Sequence, residues 1–169
     1  MKATLDHNVV IDFANHSQNV ERLRELLSHG SVEAQVVEIG ASEMRARGIR
    51  PDRYDLFEDL FREAGLKSVP RLMPLMIWDV TFWDHGIWAG KDSEAQLSRI
   101  ESILFGDAQP PEAGGKGWLN RLCDVHTMWC HLHYKNDTFV TSDRNFHKAT
   151  KKPALIALGA GSILLPEEI

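Results

Sequence analysis

Four acidic residues, spread over almost the whole chain, have the positions expected of a metal site. Asp6 and Asp143 each come directly after a short apolar run of strand type. Acids placed after neighbouring parallel strands meet at one edge of the sheet, so these two carboxylates are expected to lie together. Glu43 and Asp124 fall in helical segments that would cover the same edge. The four residues therefore predict a cluster of carboxylates.

Such a cluster would be unfavourable without cations. Two unit negative charges ~4 Å apart repel by about 4 kcal/mol at an effective dielectric constant near 20. Carboxylate oxygens suit Mg²⁺ or Mn²⁺ better than Zn²⁺, because no thiolate or imidazole is clearly placed with them. We therefore expect Mg²⁺ or Mn²⁺ as the cofactor.

The hydrophobic pattern predicts the elements that must position these acids. Strands are predicted at 2–5, 32–37 and 138–141, with a further strand or buried turn at 154–157, and helices at 9–14, 19–28, 39–47, 52–64, 94–105 and 118–134. The stretch 66–88 gives no clear pattern, and 106–117 is rich in glycine and proline, as a loop is. Because strands alternate with helices, we expect an α/β fold with a central, mainly parallel sheet and helices on both faces.

Bulk composition sets further limits. The 169 residues suit a single domain spanning 1–169. A net charge of −5 disfavours a wide basic surface for nucleic acid, but cations bound to a carboxylate-rich site would reverse its local sign. No apolar run has signal-peptide or membrane-spanning length, so a cytoplasmic protein without a membrane partner is expected. Two groups of basic residues are predicted as solvated surface or phosphate contacts: Arg45, Arg47, Arg50 and Arg53, and Arg144, His147, Lys148, Lys151 and Lys152.

Four short segments resemble the motifs of the PIN-domain family, in the order in which that family carries them. They are Leu5-Asp6-His7-Asn8-Val9-Val10-Ile11-Asp12, Ala41-Ser42-Glu43-Met44, Leu122-Cys123-Asp124-Val125 and Phe139-Val140-Thr141-Ser142-Asp143-Arg144-Asn145-Phe146. Two departures stand out. The middle segment, 66–117, is longer and richer in tryptophan than in the smallest toxin-type members, and His7 stands where those members often have a small hydroxyl residue.

The resemblance implies a three-layer PIN-like fold and hydrolysis of phosphodiester bonds in single-stranded RNA. The four acids would be the metal ligands and catalytic residues, holding one or two Mg²⁺ or Mn²⁺ ions. Asn8 and Thr141 would orient the ligands or a phosphate, and Arg144 and Lys148 would contact a non-scissile phosphate. Some members are toxins of toxin–antitoxin pairs, so an antitoxin protein that plugs the acidic site with a basic side chain is an expected partner.

A zinc site on one helix is the first alternative interpretation. Cys123, His126, Cys130 and His133 have suitable types, but ten residues of helix span ~15 Å, too far for one tetrahedral ion. A buried helix face has the same spacing, and we expect that structure instead. A pair such as His126 and Cys130 with ligands from elsewhere stays open.

The three tryptophans Trp78, Trp83 and Trp88 repeat at intervals of five, which fits neither helix nor strand. Packing in the core or in a homodimer interface is the favoured interpretation, and stacking on RNA bases is the other.

Two further functions stay open. One is a PIN-fold module that binds RNA or a protein without cutting. The other is a phosphatase or other Mg²⁺-dependent phosphotransfer enzyme that uses a strand-end aspartate, with Asp6 carrying the phosphoryl group.

Overall fold

The computed structural model describes residues 1–44, 49 and 53–169, with Glu43 described in its backbone alone. A five-stranded sheet crosses its centre, and every strand pair is parallel. The strands are β1 (Lys2–Leu5), β2 (Glu33–Val37), β3 (Arg71–Leu72), β4 (Thr138–Val140) and β5 (Ser162–Leu164), in the spatial order β3-β2-β1-β4-β5. The expected α/β fold with a parallel sheet is confirmed.

Helices make up most of the rest of the described chain. They are α1 (His7–Ala14), α2 (Glu21–Ser28), α3 (Gly40–Glu43), α4 (Asp55–Glu63), α5 (Ser93–Phe105), α6 (Lys116–His133), α7 (Arg144–His147) and α8 (Lys152–Leu155), with 3₁₀ turns at Gln18–Val20 and Pro166–Glu168 and a π-helical turn at Ile156–Ala160. Within the described ranges, no helix is long and apolar enough to cross a membrane.

Two hydrophobic cores cover the two faces of the sheet. Alternate strand residues point to opposite faces, so Leu5 and Val140 join one core while Phe139 and Ile163 join the other. The first core is completed by α1, α2 and α4, through Phe13, Leu23, Phe57 and Phe61, and the second by α5, α6 and α8, through Ile100, Leu104, Met128, Trp129 and Leu155. The result is the expected three-layer arrangement.

The strand order reverses between β1 and β4. Connections from β1 to β2 and from β2 to β3 run over the first core, whereas those from β3 to β4 and from β4 to β5 run over the second. Diverging connections leave a crevice outside the carboxyl ends of the two central strands, where α/β proteins bind ligands. Leu5 lies opposite Val140 in the register, so Asp6 stands beside Thr141 in this crevice.

The carboxyl-terminal quarter corrects one prediction. Residues 154–157 belong to α8 and the π-helical turn, and the last strand is instead β5. Gly161 permits this strand: its φ is +60°, and a Cβ there would lie 2.2 Å from the carbonyl oxygen of Asp137. The prediction failed because a strand of three residues is too short to show a period of two.

Other boundaries differ by a few residues. The helix α6 begins at Lys116 instead of 118, and β3 lies in the stretch 66–88, where the sequence predicts no element. The predicted end of the helix at 39–47 and the predicted start of the helix at 52–64 fall outside the described residues. The same holds for Arg45, Arg47 and Arg50 of the first basic group. Arg53 is exposed and forms an ion pair with Asp55.

The buried face of α6 confirms the core interpretation of Cys123, His126 and Cys130. Each of these side chains is at most 5% exposed, and burial raises the pKa of the Cys130 thiol. Burial also lowers the pKa of His126 to about 4, so this imidazole is neutral in the folded chain. His133 differs, because it is exposed and stacks on Trp129 with ring centroids 4.5 Å apart.

The substitution His126→Leu should make stability less sensitive to acid. An imidazole with a pKa of about 4 in the folded chain and about 6.5 in the unfolded chain binds its proton only on unfolding at intermediate pH. The stability it contributes is complete above about pH 6.5 and is lost as the pH falls toward 4, by about 2 kcal/mol between pH 7 and pH 5. Urea unfolding at those two pH values measures the difference. The matched variant His29→Leu, at an exposed position, should keep the wild-type dependence, and an unchanged pH slope in His126→Leu would contradict the prediction.

Candidate functional site

Asp6 is a buried carboxylate at the switch point. It follows β1, caps the first turn of α1 and is only 4% exposed. Its Oδ1 accepts hydrogen bonds from the backbone N–H of His7 (2.8 Å) and pairs with the His7 ring Nδ1 (3.2 Å). Its Oδ2 accepts from the Asn8 amide (2.8 Å) and the Thr141 hydroxyl (2.6 Å). Four donors therefore surround one carboxylate.

These donors keep Asp6 ionised. Burial by itself raises the pKa of a carboxyl. The hydrogen bond and charge of the His7 side chain and the hydrogen bond of Thr141 together lower the pKa of Asp6 by more than burial raises it. The net pKa lies below the ordinary value of 3.8. A helix N-cap needs an acceptor but does not need this degree of burial, so capping alone does not explain the site.

Thr141 joins the turns that follow β1 and β4. Its Oγ1 accepts from the backbone N–H of Asp143 (3.0 Å) and the amide of Asn8 (3.2 Å), while donating to Asp6. The Asn8 Oδ1 in turn accepts from the backbone N–H of Ser142 (3.1 Å). Thr141 is fully buried, which favours a role in positioning Asp6 over direct contact with a phosphate.

Asp143 and Asp124 both raise the pKa of one cation, Lys151, against a larger lowering by burial. Asp143 is half-buried and caps α7, with its Oδ1 accepting from the backbone N–H of Asn145 (2.8 Å). Asp124 is half-buried on α6. Burial and the charge of Lys148 lower the pKa of Lys151, and Asp143 and Asp124 act against that change. Both carboxylates are thus within electrostatic range of the Lys151 ammonium.

Three other predicted site residues can be placed only in part. Glu43 is the last residue of α3, which contacts the Asp124 helix α6, but its side chain lies outside the description. Arg144 and Lys148 are exposed at the start of α7 and directly after it. Their predicted contacts, with metal for Glu43 and with phosphate for the basic pair, stay predictions.

A buried carboxylate that the sequence did not assign to the site is Glu38. It directly follows β2, the strand beside β1, and is 6% exposed. Its Oε2 accepts from the Tyr54 hydroxyl and lies 3.7 Å from the His85 ring Nδ1. Burial and the adjacent Glu38 raise the pKa of Tyr54, which keeps this hydroxyl protonated. The strand-end rule that selects Asp6 would also have selected Glu38.

Asp12 and Ser142 support the same edge from outside the carboxylate cluster. The Asp12 Oδ2 accepts from the Ser142 hydroxyl (3.0 Å) and the Asn19 amide (2.8 Å). Because Asp12 lies one turn beyond Asn8 on α1, these contacts add a second connection between α1 and the turn after β4. No local pattern marks Ser142 as its partner, since the two residues are 130 positions apart.

The carboxylates present suit Mg²⁺ or Mn²⁺ in type and in charge. Asp6, Asp143 and Asp124 offer only oxygen donors, as these hard cations prefer. A carboxylate accepts about four hydrogen bonds, and the protein supplies four to Asp6, of which the His7 ring contact is the longest. Among the described side chains, no three from His, Cys, Asp and Glu are arranged to hold a metal ion as they stand.

The tryptophan segment does not belong to the core. Trp78, Trp83 and Trp88 are 76%, 67% and 75% exposed, and the first two contact each other edge to face at 5.8 Å. The core interpretation is therefore wrong for these residues, since the backbone of 78–88 forms turns that direct the rings outward. A homodimer interface and base stacking stay open.

No family model, curated protein or solved structure matches the chain.

The substitution Thr141→Val should destabilise the chain by about 1 to 3 kcal/mol at pH 7, because the buried N–H of Asp143 and the Asp6 carboxylate each lose a partner. Asp6 contributes stability above its ordinary pKa of 3.8, and that contribution is lost as the pH falls through its lower folded value. The difference from wild type should consequently shrink below about pH 4. Urea unfolding of wild type and variant at both pH values measures this difference in the free energy of unfolding. Thr141→Ser keeps the hydroxyl and is the control; an equal loss in both variants would assign the effect to packing.

Proposed function

We propose that this chain is a Mg²⁺- or Mn²⁺-dependent endoribonuclease that hydrolyses phosphodiester bonds of single-stranded RNA. The observation that carries the proposal is the buried, ionised Asp6, hydrogen-bonded through Thr141 to the turn that bears Asp143. The choice of RNA as substrate is supported by the four motifs that resemble the PIN-domain family.

The roles of the residues follow from their positions. Asp6, Asp143 and Asp124, with Glu43 as the predicted fourth ligand, would hold the cation. When bound, the cation supplies a hydroxide from water near neutral pH and stabilises charge on the phosphate. Thr141 and Asn8 hold Asp6 ionised and correctly oriented.

Two exposed cations flank the acidic edge. Arg144 directly follows Asp143, and Lys148 directly follows α7, so both lie next to the turn that bears Asp143. Among the side chains that the structure describes, neither forms a hydrogen bond with Asp6 or Asp143. They would bind phosphates next to the scissile one, which would set the position of the strand without reading its sequence. We therefore expect the positive charges of Arg144 and Lys148 to increase the affinity for RNA.

A module that binds RNA or a protein without cutting is the second candidate. It is favoured by the Lys151 ammonium, which interacts electrostatically with Asp124 and Asp143 and so offsets part of their negative charge. The phosphotransfer alternative is less well supported, because both oxygens of Asp6 accept hydrogen bonds and the residue is 4% exposed. A carboxylate in that state is a poor nucleophile.

Cleavage of a labelled single-stranded RNA should require Mg²⁺ or Mn²⁺ and should stop on addition of a chelator. Loss of groups that only support a metal ligand typically costs about 10- to 100-fold, so Asp6→Asn and Asp143→Asn should each reduce the rate by more than about 100-fold. The matched control is Asp107→Asn, which removes the same charge from an exposed loop. Thermal unfolding confirms that each variant is folded.

Three outcomes separate the candidates. Cleavage that persists in chelator contradicts a metal-dependent nuclease. RNA binding without turnover in Mg²⁺ and Mn²⁺ favours the non-cutting module. Phosphate found covalently on Asp6 would favour the phosphotransfer enzyme.

A toxin role makes a separate prediction about cells. Expression of the wild-type chain alone should arrest bacterial growth, and expression of Asp6→Asn should not, because the arrest depends on cleavage. Colony counts after induction measure the effect, with Asp107→Asn as the active control. Normal growth with the wild-type chain contradicts the toxin role and the antitoxin partner, but not RNA cleavage in vitro.

A homodimer is the other proposed partner. Trp78 and Trp83 form an exposed aromatic pair that a second copy of the chain could cover. If the pair forms a dimer interface, the Trp78→Ala/Trp83→Ala variant should sediment with a lower mass than wild type. If the pair stacks on bases, the variant should lose RNA affinity while its mass in solution stays unchanged.

A further inference from the structure

A cavity of about 420 Å³ lies between the start of α5, the second half of α6 and the segment that follows β3. The buried Leu75 and Trp129 and the half-buried Ile87 form apolar parts of its wall, and the exposed Trp88 and His133 also line it. Its volume is in the range of small-molecule sites. Of the candidate site's acids with described side chains, none lines it, so this cavity is separate from the crevice.

The indole N–H of Trp129 has no hydrogen-bond acceptor among the described residues. Trp129 is only 1% exposed, so solvent does not supply an acceptor either. Buried indole nitrogens usually donate a hydrogen bond, and one that does not needs an explanation. A molecule that occupies the cavity and carries an acceptor would complete this hydrogen bond.

Reaching the Trp129 nitrogen requires a side chain of the wall to move, because this atom has less than 1 Å² of exposed surface. His133 is suited to that movement. Its ring stacks on Trp129 with centroids 4.5 Å apart, yet the residue is exposed, and exposed side chains change rotamer within picoseconds to nanoseconds. An occupant of the cavity therefore displaces one exposed ring and supplies the missing acceptor.

Trp88 is 75% exposed although the backbone on both sides of it is fixed. The carbonyl oxygen of Ile87 accepts from the backbone N–H of Met76 (2.8 Å). The backbone N–H of Gly90 donates to the Ser93 Oγ (3.2 Å), and the backbone N–H of Ser93 donates to the Gly90 carbonyl oxygen (3.1 Å). A large ring is thus held beside an apolar cavity, where it offers a face on which a flat ligand can stack.

The charges around the cavity favour an uncharged ligand. Lys91 and Asp92 both line it, both are exposed, and their charges have opposite signs. An anion attracted by one is repelled by the other. The wall therefore selects for a flat ring and a hydrogen-bond acceptor more than for a phosphate or an ammonium group.

We propose that this cavity binds a nucleobase, which stacks on Trp88 and accepts the indole N–H of Trp129 through a ring nitrogen or carbonyl oxygen. Every nucleobase has a flat face for stacking on an aromatic ring and carries such acceptors. The choice of a nucleobase among flat rings with acceptors rests on the proposed action on RNA. The base belongs to a free nucleoside or to a nucleotide of an RNA strand, and the two sources are tested separately.

The test is an NMR titration of the ¹⁵N-labelled chain with adenosine and, separately, with a short oligoadenylate in chelator, so that the RNA is not cut. The indole N–H signals of Trp88 and Trp129, assigned from triple-resonance spectra, should both move, and that of Trp129 should move downfield because its N–H gains an acceptor. Trp88→Ala should weaken binding, measured at the Trp129 signal, by about fivefold or more. Trp78→Ala is the matched control, because Trp78 is 76% exposed but does not line the cavity; it should bind as wild type does.

The hydrogen bond is tested with Trp129→Phe, which keeps an aromatic ring but removes the N–H. This variant should bind adenosine about two- to tenfold more weakly than wild type. Indene has a fused ring but no acceptor, so it should bind the two proteins equally. If Trp129→Phe does not fold, the downfield movement of the Trp129 signal in wild type is the readout of the hydrogen bond.

The outcomes assign the source of the base. Binding of adenosine that depends on Trp88 supports the inference with a free nucleoside as a sufficient ligand. Binding of the oligoadenylate alone, with the same dependence, supports it with the RNA strand as the source. Three results overturn it: neither signal moves at millimolar ligand, the Trp88 signal moves alone, or Trp88→Ala and Trp78→Ala lose equal affinity.

RNA cleavage by the same preparations separates this inference from the proposed function. Metal-dependent cleavage without base binding in the cavity overturns the inference alone. Trp88-dependent base binding without cleavage overturns the nuclease and leaves the nucleobase site standing.

Discussion

The hydrogen bond from the Thr141 hydroxyl to the Asp6 carboxylate is the interaction on which the site and the centre of the sheet both depend. A buried charge is costly unless donors surround it. Three of the four donors to Asp6, two from His7 and one from Asn8, are local, but the fourth comes from Thr141, 135 residues away. This fourth hydrogen bond forms only when β1 and β4 are neighbours in the observed register. The sheet and the hydrogen bonds of Asp6 therefore both require β1 to pair with β4 in this register.

The reversal of strand order turns that pair into a crevice. Because connections leave β1 over one core and reach β4 over the other, no crossing segment covers the carboxyl ends of the two strands. The helices α5 and α6, which pack in the second core, add residues to this edge that the strands do not carry. The helix α6 carries Asp124 on its way to β4, and α5 ends at the carbonyl that Lys151 contacts. Residues from three layers thus act at one edge.

This edge holds its two buried carboxylates in different ways. Asp6 is surrounded by hydrogen-bond donors from His7, Asn8 and Thr141, whereas Glu38 accepts a hydrogen bond from the hydroxyl of Tyr54 and lies near the His85 ring. The two rings that contact Glu38, those of Tyr54 and His85, are themselves stacked, with centroids 4.2 Å apart.

The fold class, the strands that precede Asp6 and Asp143, and the buried face of α6 could be predicted, because each depends on a pattern that repeats within about ten residues. The pairing of β1 with β4 and the exposure of the Trp78 and Trp83 rings could not, because they depend on long-range packing. The place of β5 could not be predicted either, since it depends on the close approach of Gly161 to Asp137. Strand order and register bring Asp6 and Thr141 together. The residues near each of them in the sequence carry no local pattern that predicts this pairing.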